Sequence, residues 1–312
     1  LPILLNNLPS VVTTSDAGAG IGYTGIRIRG VSAQSTNITI NGIPFNDPES
    51  HGTFWVNLPD FTSSIESLQV QRGVGTSTNG SGAFGASINI LTDAVSENAN
   101  AEISNSLGSY NTRKHTVKFS TGKINQFFEL SGRLSKIDSD GYVDRAYSDL
   151  KSYFLQASFQ KGNTFLKALS FGGHEKTYQS WYGLTMDQVL ENRRQNPYTY
   201  ENEIDNYKQD HYQLHWKQKL NPNWSANFGL NYTYGRGYFE QFREDDSVDT
   251  YSGIVVSDID KNGNNTGTVD LIRRRWLDNN FYVFNASFIY NKNRFNISLN
   301  SSFSKYSGDH FG

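Results

Sequence analysis

The chain has 312 residues, a formal net charge of -2 and no cysteine, which removes a global basic field for nucleic acid, disulfide frameworks and thiolate sites together. Mean hydropathy is -0.57 and no apolar run reaches the ~18 residues of a transmembrane helix, but barrel strands alternate and average out as polar, so only helical spans are excluded. Aromatic residues make up 14% of the chain, a share that suits rings held at an interface, with a secreted β-protein as the alternative.

The sequence opens on "LPILLNNLPSVVTT", without Met, a basic n-region or a small-residue cleavage site, and is expected to be a fragment. A short helical turn is predicted around Leu1 to Leu5. Gly20-Ile21-Gly22-Tyr23-Thr24-Gly25 is a literal G-x-G-x-x-G. That pattern binds a dinucleotide only where it follows a strand and opens a helix. Here it leads into Ile26-Arg27-Ile28-Arg29, an alternating run that reads as a strand, so the dinucleotide reading fails. Short strand-like pieces continue at Asn37 to Ile40, Leu68 to Gln71 and Ala86 to Leu91. A second helical turn is predicted near Leu58 to Ile65, opened by Pro59 and Asp60. Residues 1–93 therefore read as one compact α/β or mostly β domain.

After Ser96 the pattern changes to long alternation. Phe128, Leu130, Gly132 and Leu134 oppose Glu129, Ser131, Arg133 and Ser135. Tyr212, Leu214 and Trp216 oppose His211, Gln213, His215 and Lys217. Ala226, Phe228, Leu230, Tyr232 and Tyr234 oppose Asn227, Gly229, Asn231 and Thr233, and Phe295 to Phe303 repeats the pattern. Alternation of this length is strand. A soluble sandwich and a membrane barrel both alternate, so the connections decide. Short polar links at Gly122 to Asn125, Lys161 to Asn163, Asn221 to Asn223 and Asn291 to Asn293 take turns with long ones at Asp138 to Asp149, Gly172 to Asn206 and Arg236 to Arg275. The link Gly108 to Thr112 is a short one on the long side. Such parity is the pattern of an outer-membrane barrel. Residues 94–312 hold about nine strands, an odd number, and further strands are expected after Gly312.

On these residues the N-terminal part is similar to the plug domain of TonB-dependent outer-membrane receptors. The family's plug motifs are matched in order by Arg29-Gly30, Asn41-Gly42-Ile43-Pro44, Ile65-Glu66-Ser67-Leu68-Gln69-Val70-Gln71-Arg72-Gly73, Phe84-Gly85 and Ile88-Asn89-Ile90. Phe84 stands where the family usually has Tyr, and Ala86-Ser87 where it often has Gly-Gly. Arg72-Gly73-Val74-Gly75 replaces the Lys-Asp-Ala-Ser run of the carbohydrate-importing branch, which favours the siderophore-receptor-like branch. The resemblance implies a mostly β fold, a small mixed α/β plug inside a transmembrane antiparallel β-barrel that is incomplete in this chain. It also implies that a signal peptide, the TonB box and a first plug strand precede Leu1. The segment Gly18 to Gly25 becomes a plug loop lying close to the barrel wall, and Gly30, Gly42, Gly73 and Gly85 mark strand ends.

The segment Asn46 to Asn57 is expected near the plug's outward apex, with Asn46, Asp47, His51, Phe54 and Trp55 as candidate ligand contacts. The turn Ser32 to Thr36 is a weaker candidate. Tyr178, Trp181, Tyr182, Arg236 and Tyr238, in or at the base of long loops, either close over a ligand or form an interfacial girdle. Arg29, Arg72 and Glu66 are expected to make buried polar contacts with the barrel wall. Asp258 to Gly263 opens like an EF-hand loop, but position twelve is Val269, which lacks the required carboxylate, so a turn is expected there. Arg273 to Trp276, RRRW, reads as a loop base meeting acidic groups or lipopolysaccharide phosphates.

No metal site, cofactor site or catalytic constellation is called for, and no enzyme is expected. The resemblance implies an outer-membrane importer energised by TonB with ExbB and ExbD, in contact with outer-membrane lipid, that carries a ferric siderophore or similar chelate. The alternatives are a passive porin-like or adhesive barrel, an importer of carbohydrate, cobalamin or peptide, and a soluble glycan-binding β-protein.

Overall fold

The computed structural model describes residues 1–74, 84–251 and 267–312; the EF-hand-like stretch Asp258 to Gly263 lies outside them. Strands β1 (Val11–Ser15) and β2 (Thr24–Ile28) pair antiparallel, with Val11 opposite Ile28, across the glycine-rich loop 16–23. Next come β3 (Thr36–Ile40), β4 (Ile43–Pro44), β5 (Ile65–Arg72) and β6 (Ala86–Thr92), forming a sheet of order β4-β3-β6-β5 in which β3 and β6 run parallel. Asn41 and Gly42, both at positive φ of 54° and 81°, make the two-residue turn that their Asn-Gly sequence encodes. Among the described residues the helical content of this part is four 3-10 turns, including the predicted ones at Pro2–Leu5 and Phe61–Ser64. Strand β1 is not among the predicted pieces.

Strand alternation sends Ile26, Ile28, Ile38, Ile40, Ile88 and Ile90 into one core with Trp55, Leu58 and Phe61. That core does not stop at the N-terminal unit: Phe154, Leu169 and Phe171 complete it from the large sheet.

The large sheet has nine antiparallel strands in chain order: β7 (Asn100–Leu107), β8 (Arg113–Ser120), β9 (Phe128–Ser139), β10 (Ser148–Lys161), β11 (Thr164–Tyr178), β12 (Ile204–Lys219), β13 (Trp224–Ser247), β14 (Thr268–Lys292) and β15 (Phe295–Phe311). Strands β7 and β15 are not paired with each other, so the sheet is an open arc in this chain. Its two faces are inverted relative to a soluble protein. Leu134 is 66% exposed while its neighbour Arg133 is 2% exposed. Leu214 and Trp216 face outward, and His211, Gln213 and His215 are buried against the N-terminal unit. Such a wall wants hydrocarbon outside and polar contacts inside.

The long links are shorter than predicted, because β11 runs on to Tyr178, β13 to Ser247 and β14 begins at Thr268. Tyr178, Arg236, Tyr238 and the run Arg273 to Trp276 are thus on strands, not in loops. Strands β13 and β14 hold 24 and 25 residues, well beyond the ~9–11 that a bilayer-crossing strand needs, so the sheet rises into a tall rim at the end that carries the long links. One short α-helix, α1 (Met186–Glu191), sits in the longest link, closed by a Thr185–Gln188 capping box.

Among the described residues the expected wall contacts of Arg29, Arg72 and Glu66 are not found: all three are exposed, and Arg72 Nη1 donates to the Pro9 carbonyl at 3.3 Å. The anchor is Asp60, at φ 51°. It is ion-paired with Lys114 and, at 3.3 Å, with Arg133, and its carboxylate accepts from the hydroxyls of Thr116 and Ser135 at 2.7 and 2.8 Å. Burial pushes the Asp60 carboxyl up, but hydrogen bonds from Lys114, Ser63, Thr116 and Ser135 outweigh it and hold the group below the usual carboxylate range. Asn41 of the motif turn adds a lighter contact, Nδ2 donating to Gln213 at 3.4 Å. Gly30 and Gly73 share the positive φ of Gly42, and Phe84 is exposed.

Candidate functional site

A cavity of about 1160 Å³ lies between the N-terminal unit and the inner face of β12 to β15, at the end of the sheet that carries the long links. Its floor is the segment 44–57, and its wall includes Tyr207, Gln209 and His211 of β12, Phe239 of β13, Arg273, Arg275 and Phe281 of β14, and Tyr306 and His310 of β15.

The floor is pinned by its own polar side chains. Asn46 accepts from the Ile38 amide at 2.7 Å and donates to the carbonyls of Thr36 and His51 at 2.9 and 3.0 Å. Asp47 accepts from the amides of Glu49 and Ser50 and from the Ser50 hydroxyl, an Asx turn that shapes the tip. Glu49 accepts from Tyr306 at 2.9 Å and from His310 at 3.0 Å, and these two bonds hold its carboxyl below the usual range.

The glycine-rich loop forms the second part of the floor. Gly18 and Gly22 have φ of 72° and 78°, and a Cβ on either would meet Tyr142 at 3.0 Å or Ser148 Oγ at 2.5 Å. The loop can lie against the wall because those residues are glycine. It carries Tyr23, whose hydroxyl donates to Asp205 of β12. On the wall, a Cβ at Gly235 would overlap the Tyr207 hydroxyl. Glycine there lets Tyr207 lie across β13 and donate to Asn279 at 2.8 Å.

Of the sequence-predicted residues, Asn46, Asp47, Phe54, Trp181 and Tyr238 line the cavity. Phe54 is exposed to it and Trp181 packs edge-on against Tyr23 and Phe239 at 5.4 and 5.6 Å. The other five do not line it. Trp55 is buried in the core beside Phe45, at 6.3 Å. Tyr178 is buried and donates to the Tyr200 carbonyl at 2.6 Å. Tyr182 stacks on Tyr198 at 4.9 Å, His51 is exposed, and Arg236 is spent on Asp278 at 3.5 Å and on the Trp276 ring. Sequence reasoning missed Tyr23, Phe45, Glu175, Asp205 and Tyr207, and read Arg273 and Arg275 as a loop base and not as part of the site; all but Tyr23 and Phe45 are strand residues, and on β11 and β12 parity with the buried polar residues was the available signal.

Residues 2–87 match the family described as the TonB-dependent receptor plug domain. By that match residues 2–87 are a plug domain. Among solved structures it is similar to the ferric-catecholate import receptor Fiu of E. coli K12 in its closed form, with a TM-score of 0.70 at 15% identity over 100% of this chain and 45% of that one. The copper transporter OprC gives a TM-score of 0.72 at 12% identity, over 99% and 44%. The siderophore receptor PirA of Acinetobacter baumannii gives 0.63 at 15% identity, over 99% and 47%. At these identities the likeness establishes the fold: a TonB-dependent receptor plug within part of its barrel. The chain spans less than half the length of these solved structures. No curated protein matches the sequence.

Proposed function

We propose that this chain is part of an outer-membrane importer, not an enzyme, that captures a scarce metal chelate outside and passes it inward when TonB, with ExbB and ExbD, pulls on the plug. The observation that carries the reading is the cavity at the long-link end, floored by plug loops 16–23 and 44–57 and walled by the barrel's polar face. A porin-like or adhesive barrel has no use for a floor fixed by Asp60, Glu49 and Tyr23. The three named neighbours handle ferric catecholate, copper and siderophore respectively, which supports metal or metal chelate as cargo and the siderophore-like branch. Phe54, Trp181 and Tyr238 offer rings to such a chelate, Arg273 and Arg275 offer positive charge to its anionic edge, and Asn46 and Asp47 fix the floor. Trp55 and Tyr178 act from behind, as packing under these surfaces.

The test is uptake of radiolabelled iron, supplied as catecholate and hydroxamate chelates, by cells expressing the full-length receptor. Uptake should depend on the receptor, stop when an uncoupler collapses the proton gradient, and accompany a rise in receptor abundance under iron starvation. Receptor-dependent uptake that an uncoupler leaves unchanged would mean a passive barrel.

A further inference from the structure

Two plug carboxylates meet the wall as paired charges. Asp60 has Lys114 and Arg133, and Asp93 has Lys118 at 2.7 Å. Two buried carboxylates that line the cavity side by side break that pattern. Glu175 stands opposite Tyr207, and Asp205 opposite Thr177, on the inner faces of β11 and β12, and both line the cavity. Among the described residues neither forms an ion pair with Lys, Arg or His. Asp205 accepts the Tyr23 hydroxyl. Glu175 is 1% exposed; its Oε2 accepts from Thr177 at 3.1 Å, and its Oε1 has no donor.

A buried carboxylate without a cation or a full set of donors is costly. What surrounds this pair is aromatic: Tyr23, Trp181 and Phe239, each ring edge-on to the next, line the same stretch of cavity. Calcium takes roughly six to eight oxygens, drawn from several carboxylates and carbonyls, and among the described residues no group of three or more His, Cys, Asp or Glu side chains is placed to hold a metal ion. An ammonium group needs only carboxylate acceptors and aromatic faces. We propose that Glu175 and Asp205 form a subsite for a protonated amine of the imported molecule. Resting on the importer reading, this narrows the cargo to a molecule with a free amine at one end. On the β14 side of the same ring cluster Arg275 lies over Phe239 at 5.5 Å and has no ion pair among the described residues, so an anionic edge of the cargo can meet Arg275 while its amine meets the two carboxylates.

Purified full-length receptor is titrated with phenethylammonium and with its neutral counterpart 2-phenylethanol, followed by calorimetry. The ammonium should bind at least about tenfold more tightly than the alcohol. Glu175→Gln, which keeps the side chain's shape, should erase the preference, and Asp205→Asn should do the same, each with an unchanged melting temperature. Equal binding of the two probes, binding of neither, or displacement of the ammonium by millimolar calcium overturns the subsite. Uncoupler-sensitive iron uptake is read separately in the same cells. Its absence overturns the importer reading, whereas equal probes with energised uptake intact overturn only the subsite.

Discussion

The plug and the barrel wall use the same two-residue alternation in opposite senses. In the plug, Ile38, Ile40, Ile88 and Ile90 go into the apolar core and their polar neighbours Asn37, Thr39, Ser87 and Asn89 take the opposite face of the sheet, half-buried or buried; in the wall, Glu129, Arg133, His211 and Gln213 go inward while Leu134, Leu214 and Leu299 face out. Periodicity alone fixes that a segment is a strand and which residues share a face. Which face is the inside depends on the solvent, and here the two regions answer to different solvents. Where they touch, both rules operate: Phe154, Leu169 and Phe171 join the plug core, and Arg133, Lys114 and Ser135 clasp Asp60.

The hardest break in that contact is Asp60→Ala. It leaves Arg133 buried without its carboxylate, which costs about 3–5 kcal/mol, and should show as a lower denaturation midpoint of the full-length receptor and faster proteolysis of the plug. A cost no greater than that of an exposed ion pair would remove Asp60 as the anchor. The same group gives a pH signature. Its folded pKa lies below the ordinary 3.8, so its contribution is complete above that value and is lost as pH falls through the lowered folded value. Next in size is Leu134→Arg on the outward face of β9, expected to cost about 2–4 kcal/mol for folding into a bilayer while leaving plug protection unchanged. Ile88→Val in the plug core is milder, about 0.5–1.5 kcal/mol, and should lower protease resistance of the plug without altering insertion of the wall. If Leu134→Arg were harmless in lipid vesicles, the inverted reading of the wall would fail.

Most of the architecture is legible in the sequence, because strand parity and the alternation of short and long links are local signals. The strand ends are not. Gly172, Gly173, Gly235 and Gly237 look like loop punctuation, and only a partner distant in sequence explains them: the ring of Tyr207 fills the space that a Cβ at Gly235 would take, and the carbonyl of Asn57 that at Gly173. Asp60 reads locally as a residue that opens a helical turn; its worth comes from Lys114 and Arg133, which lie on other strands. The candidate site was half legible for the same reason. Phe54 and Trp55 are adjacent aromatic residues in an aperiodic segment, and nothing local says that one faces the cavity and the other the core. The capping box at Thr185 and Gln188 was readable, but without an apolar periodic run behind it α1 was not predicted.

The smallest effect tests the tie between the two regions at the cavity floor. Glu49 reaches from the plug tip to Tyr306 and His310 of β15. The carboxylate is exposed, so solvent screens the pair and its worth is well under ~1 kcal/mol; Glu49→Gln should leave the denaturation midpoint where it is. What should change is local. Amide hydrogen exchange in residues 47–52 should quicken in the variant, because the tip loses its outer attachment while the Asn46 and Asp47 bonds stay in place. In the unsubstituted protein the same quickening should develop as pH falls below 4.5, the ordinary value from which Glu49 is lowered, and through its folded pKa. Exchange that is equal in both proteins across that range would mean that the Asn46 and Asp47 network alone sets the tip, and that the Glu49 bonds to β15 add nothing to it.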